Sequence, residues 1–158
     1  MKVFIAGIMQ GSRLDREIDD QSYRTRIADA VLTQYPTAEI VDPNELHPEG
    51  VSYGDQQART TLLALAGLAG QSDLLVAYAP HASMGTAIEM WQAFQAGAVI
   101  LAISPMAENW VVKHLSDAVF ADLEAFRAWL ADGGLQPMIG LKAGAVLSPE
   151  IDNQADLS

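Results

Sequence analysis

The sequence of 158 residues contains no cysteine. This absence excludes disulfides, zinc–thiolate sites and thiol nucleophiles. No apolar run reaches the ~18 residues expected of a membrane-spanning helix. The N-terminal residues read directly as a strand, without the longer apolar core and cleavage site of a signal peptide. We therefore expect a cytoplasmic protein that does not interact with membranes.

Basic residues are also scarce, with 9 Lys and Arg against 20 Asp and Glu and a formal net charge of -11. A nucleic-acid-binding surface needs clustered Lys and Arg, so we expect no nucleic-acid partner. A small anion can still bind, because one or two basic groups and backbone amides are enough. Hydrophobic residues make up 50% of the chain and charged ones 18%, which is typical of a globular domain with its own core.

Apolar segments typical of strands alternate with helical patterns, which predicts a parallel sheet with helices on both faces. The predicted strands are 2–7, 38–41, 74–79, 98–103 and 118–120. The predicted helices are 16–35, 55–70, 84–96, 108–115 and a last one from the cap at Asp122 to 131. The expected fold is α/β: a doubly wound, five-stranded, mostly parallel sheet of flavodoxin-like or Rossmann-like order. We assign it to residues 1–134, followed by a partly mobile tail at 135–158.

Ligands bind such sheets at the carboxyl ends of the strands, which nominates the loops 7–15, 79–85 and 104–110. The segment 42–54, with two prolines and two glycines, is a candidate lid. The first loop carries Gly7, Gln10, Ser12 and Arg13, a composition that can hold an anion. Its glycine spacing matches neither a dinucleotide fingerprint nor a P-loop. An ordinary strand-to-helix turn would have the same composition.

Glu89 is the only Asp, Glu, Lys or Arg between Asp73 and Glu108. An ionised carboxylate is costly to bury without partners, so this side chain either points to water or lines a site. In a helix, Gly85 precedes it by about one turn, and this small residue would let a ligand approach the carboxylate. An exposed helical Glu explains the spacing equally well.

Ser83 is well placed to cap the helix that carries Glu89. A helix N-terminus together with a serine hydroxyl suits a phosphate or a sugar hydroxyl, although capping alone would also explain this serine. The histidines have no ligand spacing, and no serine lies in a nucleophile elbow. We therefore predict neither a metal nor any other cofactor.

Three segments, at residues 4–7, 72–77 and 83–89, resemble the nucleoside 2-deoxyribosyltransferase superfamily, which includes 2'-deoxynucleoside 5'-phosphate N-hydrolases. The resemblance extends from residue 1 to about residue 126, and its gapless core is 72–103. A small-residue G-x-x-x-E segment after a buried strand is the hallmark of that family. The resemblance implies a doubly wound sheet and a homodimer or larger homo-oligomer in which neighbouring subunits share an active site.

The resemblance also implies residue roles. The family's Glu at the position of Glu89 attacks the anomeric carbon of a nucleoside, and water or a second base resolves the glycosyl-enzyme intermediate, which is the logic of retaining glycosyl transfer. In the phosphohydrolase branch, a serine at the Ser83 position and polar residues of the first loop hold the 5'-phosphate. The substrate-binding residues implied here are Gly7, Gln10, Ser12, Arg13, Ser83, Gly85 and, from the partner subunit, Asn109 and Lys113.

Two positions depart from the family pattern. Phe4 stands where the family usually has a tyrosine, and Leu65 and Ala66 stand where it usually has an aspartate. Asp42 or Asp55 could substitute for that acid from the side of the lid. Two functions therefore remain open: cleavage or transfer of an N-glycosidic bond in a nucleoside or its 5'-monophosphate, with hydrolysis favoured, or nucleotide binding and sensing with weak or no turnover. A third reading is an α/β domain in which Glu89 is structural.

The segments 84–94 and 106–113 are rich in large apolar residues. A domain of this size would struggle to bury all of them on its own faces, so we expect an exposed patch that serves as a subunit interface. The residues concerned are Met84, Met90, Trp91, Phe94, Trp110 and Val111.

Overall fold

The computed structural model describes residues 1–9 and 19–142. Its centre is one five-stranded sheet in which every neighbouring pair of strands is parallel. The order β2-β1-β3-β4-β5 is the flavodoxin-like one, which confirms the predicted fold class and decides between its two topologies. The strands are β1 (Lys2–Gly7), β2 (Glu39–Val41), β3 (Leu74–Tyr78), β4 (Val99–Ile103) and β5 (Ala118–Phe120).

Helices connect the strands in the alternating pattern that the sequence predicts. They are α1 (Ser22–Gln34), α2 (Pro43–Leu46), α3 (Asp55–Ala69), α4 (Met84–Gln95), α5 (Trp110–Leu115), α6 (Leu123–Ala131) and α7 (Leu135–Lys142). A short 3-10 turn also forms at Gly50–Ser52.

Two helices begin later than predicted, and the candidate lid contains a helix that was not predicted; most other boundaries agree to within one residue. The helix expected from residue 16 begins at Ser22, since residues 19–21 are not helical. The helix expected from residue 108 begins at Trp110, because the Asn109 side chain accepts hydrogen bonds from the first free backbone amides of α5 and ends the loop there. The candidate lid contains a short helix, α2, which Asp42 caps.

Two apolar layers pack on opposite faces of the sheet. Val3 and Ile5 of β1 belong to the layer shared with α1 and α6, whereas Phe4 and Ala6 belong to the layer shared with α3 and α4. This division follows from the period of two in a strand. Because both faces are covered, β1, β3 and β4 carry few polar side chains.

A further helix packs on the domain past its predicted end at residue 134. Gly133 adopts a positive φ of 80°, which stops α6, and α7 follows at once. Leu135 is fully buried, and Met138 and Ile139 pack on the same apolar layer as α6. The division at residue 134 remains a prediction, and residues 143–158 lie outside the described part of the chain. Within residues 1–9 and 19–142, no helix is long and apolar enough to cross a membrane.

Candidate active site

A glycine at the end of β1 lets an aromatic side chain lie over the edge of the sheet. Any Cβ at Gly7 would overlap the ring of Tyr23. The Tyr23 hydroxyl donates a hydrogen bond to the Ile8 carbonyl oxygen at 3.2 Å, and its ring stacks on Tyr78 with centroids 4.2 Å apart. Gly7 therefore has a packing role towards α1, and its predicted contact with substrate stays a prediction.

A buried ion pair connects α1 to the start of the candidate lid. Arg24 is 2% exposed and Asp42 is 8% exposed, and their Nη1 and Oδ1 atoms are 3.1 Å apart. The same Asp42 oxygen accepts a hydrogen bond from the backbone amide of Asn44 at 2.8 Å, which caps α2. The Asp42 carboxylate thus already pairs with Arg24 and caps α2. Asp55, the other proposed substitute acid, is exposed in the first turn of α3.

Glu89 lies in the middle of α4, which packs against β1 and α3. Its neighbours Met90 and Ala93 are buried against the sheet, and Glu89 itself is only partly exposed. Burial raises the pKa of Glu89 from 4.5 to about 8, and the nearby charge of Arg24 opposes that rise. Glu89 is therefore mostly covered by the protein and keeps one open side, which does not fit the alternative of an exposed helical Glu.

The charge of this carboxyl acts on side chains from the opposite face of the sheet. Burial raises the pKa of the Tyr23 hydroxyl, and the charge of Glu89 adds to the shift. Tyr23 and Arg24 come from α1, whereas Glu89 comes from α4 on the opposite face. Tyr23 and Arg24 hydrogen-bond to carbonyl oxygens at the carboxyl end of β1, where ligands bind in this topology, and both interact electrostatically with Glu89.

Ser83 caps α4 as predicted. Its Oγ accepts hydrogen bonds from the Thr86 amide at 3.4 Å and from the Thr86 hydroxyl at 3.0 Å. Ser83 also lines a cavity of about 380 Å³ between α4 and α5, together with Asn109 and mostly apolar side chains. Glu89 lies outside this lining. An added Cβ at Gly85 would meet nothing within 4 Å, so the backbone of the first turn of α4 is open to approach.

The other predicted binding residues divide into two groups. Asn109 uses its side-chain oxygen to cap α5, and the Nζ atom of Lys113 lies 2.6 Å from an Oε atom of Glu108 on the surface. Contacts of Asn109 and Lys113 with a neighbouring subunit's ligand remain predictions. Gln10, Ser12 and Arg13 lie outside the described residues.

A second cavity, of about 300 Å³, lies between the lid and α3. His47 and Tyr53 line it, with Nδ1 and Oη 3.1 Å apart, and Leu65 forms part of the wall towards α3. Leu65, at a position where the family that this chain resembles usually has an aspartate, thus contributes an apolar part of the wall. Within residues 1–9 and 19–142, no group of three or more His, Asp or Glu side chains could hold a metal ion.

Several large apolar side chains near the first cavity remain on the surface. Met84 is 82% exposed and Trp110 is 79% exposed, and Ile88, Trp91, Phe94 and Val111 are also exposed. Met90, which we expected in this patch, is instead buried against the sheet, because it faces the same side of α4 as Ala93. The exposure of Trp110 excludes a role in the core of this chain.

Sequence reasoning overlooked the cation of this site. Arg24 precedes Ile27 by three residues and Val31 by seven, so it lies on the buried stripe of α1. A cation on an apolar stripe needs a buried partner. The position of Arg24 on this stripe was therefore a signal in the sequence that a buried ion pair forms. The partner itself, Asp42, is 18 residues away and cannot be identified from local spacing.

Neither models of protein families nor the sequences of curated proteins match this chain. Several solved structures, in contrast, match this chain. A 2-deoxyribosyltransferase from Bacillus psychrosaccharolyticus superposes with a TM-score of 0.58 at 16% identity, over 80% of this chain and 90% of that one. This chain has the 2-deoxyribosyltransferase fold. The resemblance carried by residues 4–7, 72–77 and 83–89 is thereby confirmed for the fold.

Two further structures are similar to the 2-deoxyribosyltransferase fold of this chain. A conserved protein from Enterococcus faecalis has a TM-score of 0.57 at 20% identity, over 84% of this chain and 98% of that one. A CMP N-glycosidase from Clostridium botulinum has a TM-score of only 0.47 at 16% identity, over 83% of this chain and 98% of that one. At these identities the similarity concerns the fold, and the reaction has to be inferred from the site.

Proposed function

We propose that this protein cleaves or transfers the N-glycosidic bond of a nucleoside or a nucleoside 5'-monophosphate, with Glu89 as the nucleophile. One feature of the site carries the proposal: Glu89 is a partly buried carboxyl on α4, the helix that follows β3, in a chain with the 2-deoxyribosyltransferase fold. Burial raises its pKa to about 8. Strongly perturbed carboxyls in such positions are typical of catalytic sites. The activity named for the Bacillus psychrosaccharolyticus structure agrees with it.

The proposed reaction has two steps. A Glu89 carboxylate oxygen attacks the anomeric carbon of the sugar while the bond to the base nitrogen breaks and the base leaves with the bonding electrons. Water, or a second base, then attacks the same carbon and releases the carboxylate. The proton that the attacking water or base loses balances the proton that the departing base takes up. A partly buried carboxylate suits this role, because an oxocarbenium-like centre is stabilised by a nearby negative charge that water screens only in part.

The protonation of Glu89 sets the pH profile of this reaction. With a pKa of about 8, roughly a tenth of the carboxyl groups are ionised at pH 7. A nucleophile reacts in its ionised form, so the rate should rise about tenfold between pH 7 and pH 9. A general acid would show the opposite trend, because it must carry its proton.

The decisive experiment incubates the protein with a panel of nucleosides and 5'-monophosphates and follows free base by chromatography. Glu89→Gln should abolish nearly all release, because the amide is similar in shape but is no nucleophile. Glu39→Gln, which changes an exposed carboxyl on the edge strand, should leave the rate unchanged. Normal release by the Glu89 variant would exclude the assignment.

Few groups are available to bind a 5'-phosphate in the described part of the chain. The cations of Arg24 and Lys113 are each already paired with an acid in the described structure. A phosphate would therefore bind at the N-terminus of α4, near Ser83, with Ser12 and Arg13 of the first loop supplying a hydroxyl and a charge. In the family that this chain resembles, a phosphate held in this way belongs to the hydrolase branch, so we favour hydrolysis of a monophosphate over base exchange.

A binding or sensing domain without turnover is the second candidate function. Phe4 has no hydroxyl to offer a ligand and is fully buried in the sheet, and Leu65 replaces the family's acid in the cavity wall. Saturable binding of a nucleotide without release of base, measured on the same panel, would favour this candidate.

We further propose that the exposed apolar patch is the interface of a homodimer or larger homo-oligomer, in which Asn109 and Lys113 reach a neighbour's site. Patches of this kind usually mark interfaces. Sedimentation should show a dimer or larger at micromolar concentration, and Trp110→Ser should weaken it. Leu63→Ser, which changes an exposed apolar residue of α3, is the matched control. A monomer whose activity does not change on dilution would contradict this proposal.

A further inference from the structure

The candidate lid and α3 do not pack directly against each other along their whole length. Between them lies the cavity of about 300 Å³, to which the lid contributes Pro43, His47 and Tyr53, and α3 contributes Leu62 and Leu65. Protein interiors are otherwise closely packed, and apolar walls that stand apart lose the contacts that packing supplies. The volume is at the lower end of the range of small-molecule sites.

This cavity lies at the edge of the sheet where ligands bind in this topology. Met9, which lines it, comes two residues after the end of β1. Pro43 comes two residues after the end of β2, the parallel neighbour of β1. Among the described residues, the cavity shares none of its lining with the other cavity, between α4 and α5. It is therefore a separate candidate for a ligand site.

The lining favours an uncharged, flat ligand. The described residues that line the cavity include no Asp, Glu, Lys or Arg, although the whole chain has a formal net charge of -11. A charged group would lose its hydration there without gaining a partner of opposite charge, whereas a neutral ring would not. Apolar side chains come from both walls, Pro43 and Val51 from the lid and Leu62 and Leu65 from α3, so both faces of a ring can be covered.

A pair of polar aromatic side chains interrupts these apolar walls. His47 Nδ1 and Tyr53 Oη are 3.1 Å apart, and the two rings meet edge to face with their centroids 5.8 Å apart. Both side chains are partly buried, and both line the cavity. Because one hydrogen joins the two atoms, each side chain keeps further hydrogen-bonding capacity for a ligand.

The remaining capacity of the pair includes a donor and an acceptor in either tautomer of His47. When the Tyr53 hydroxyl donates to Nδ1, the Nε2–H group is the free donor and the Tyr53 oxygen is an acceptor. When Nδ1–H donates to Tyr53, the hydroxyl is the free donor and Nε2 is an acceptor. The pair therefore suits a ring that carries both a donor and an acceptor on its edge, as nucleobases do.

We propose that the cavity between the lid and α3 binds an uncharged nucleobase ring, and that His47 and Tyr53 recognise its polar edge. The inference rests on the proposed function for the choice of a nucleobase, and on the lining and the His47–Tyr53 contact for the site itself. It requires no contact between the ring and Glu89. The ring has two possible sources, the base of a bound nucleoside and a free base in solution.

The probes are free adenine, hypoxanthine, cytosine and uracil, with indole as a control ring that has a donor but no nitrogen or oxygen acceptor. Saturation-transfer NMR measures their binding to the whole chain. At least one base should bind with a dissociation constant of about 1 mM or below, which is within reach of a ligand of this size. Indole should bind about three- to tenfold more weakly, because it leaves the acceptor of the pair without a partner. No saturable binding of any base, or indole binding as tight as that of the best base, would overturn the proposal.

Two alanines of α3 locate the site. Ala58 lines the cavity, so Ala58→Leu should fill part of it and weaken base binding about tenfold or more. Ala64 is another exposed alanine of α3 and lies outside the described lining, so Ala64→Leu should leave binding unchanged. Base binding that is the same in both variants would overturn the proposal.

The polar pair is tested separately by Tyr53→Phe, which keeps the ring and removes the hydroxyl. Base binding should fall about three- to tenfold, whereas indole binding should change little. An equal loss for the base and for indole would show that Tyr53 only supports the lid, and would overturn its proposed role. If Ala58→Leu does not fold, this ratio of base to indole binding decides.

These measurements need no turnover, so they separate this proposal from the proposed function. Base binding without base release from any nucleoside or 5'-monophosphate would reject the proposed function and keep the site. Base release without saturable binding of any free base would reject only the site. Competition in the Glu89→Gln variant distinguishes the two sources: a nucleoside that displaces the free base places its own base in the cavity, whereas simultaneous binding assigns the cavity to a free base.

Discussion

Replacing Glu89 by glutamine should change how the stability of this protein depends on pH. Burial raises the pKa of the folded carboxyl to about 8 from its ordinary 4.5, so the native state holds a proton that the unfolded chain releases. The stabilisation that this proton provides is complete below pH 4.5. It is lost as the pH rises towards about 8, where the native protein must also ionise an enclosed group. Glu89→Gln cannot ionise and should not lose stability in that interval.

The size of the effect follows from the two pKa values. Each pKa unit corresponds to ~1.36 kcal/mol, so the interval from 4.5 to about 8 sets an upper limit of about 4–5 kcal/mol. The open side of Glu89 lets water reduce this value. Even half of it is a large part of the 5–15 kcal/mol that is typical of a whole domain.

Urea unfolding at pH 5.5, 7 and 9, followed by tryptophan fluorescence at one protein concentration, measures this difference. The Glu89→Gln variant should gain stability relative to the unaltered protein as the pH rises, by about 2 kcal/mol or more in total. Glu39→Gln, on the exposed edge strand, should run parallel to the unaltered protein. A constant difference between the Glu89 variant and the unaltered protein would show that the carboxyl is not enclosed.

Three further predictions concern packing, capping and the ligand. Gly7→Ala should lower the free energy of unfolding by about 1–3 kcal/mol, because a Cβ there overlaps the Tyr23 ring. In Gly67→Ala the added Cβ points into open space on α3, so this control should be neutral or stabilising. Urea titrations measure the free energy of unfolding of both variants. Asp122→Ala should cost about 1 kcal/mol through the loss of the α6 cap, and Asp122→Asn should recover most of it in the same assay. If the 5'-phosphate is held as proposed, monophosphates should bind about ten- to a hundredfold more tightly than nucleosides in calorimetry, since a charge-assisted contact contributes roughly 1.5–3 kcal/mol; equal affinities would exclude a phosphate site.

The alternation of apolar segments and helical patterns was sufficient to predict the sheet and the helices α1, α3, α4, α5 and α6, but not α2 or α7. A strand covered on both faces, such as Leu74–Tyr78, is apolar throughout, and a half-covered helix repeats its apolar residues at helical spacing. Helix caps were also predictable, because they are local: Ser83 and Asp122 accept hydrogen bonds from backbone amides only three residues further along the chain. The isolation of Glu89 was also visible, since charge is read directly from the chain.

The tertiary structure decided the features that depend on distant residues. Several strand orders fit the same alternation, and only the pairing of β1 with both β2 and β3 selected one of them. The burial of Glu89, and hence its raised pKa, depends on how α4 packs against α3 and β1. The partnership of Arg24 with Asp42 exists because β2 ends at Val41, opposite the middle of β1. Local sequence determines which residues can form a helix, a strand or a cap, but the electrostatics of a site arise from burial, and burial is a property of the whole fold.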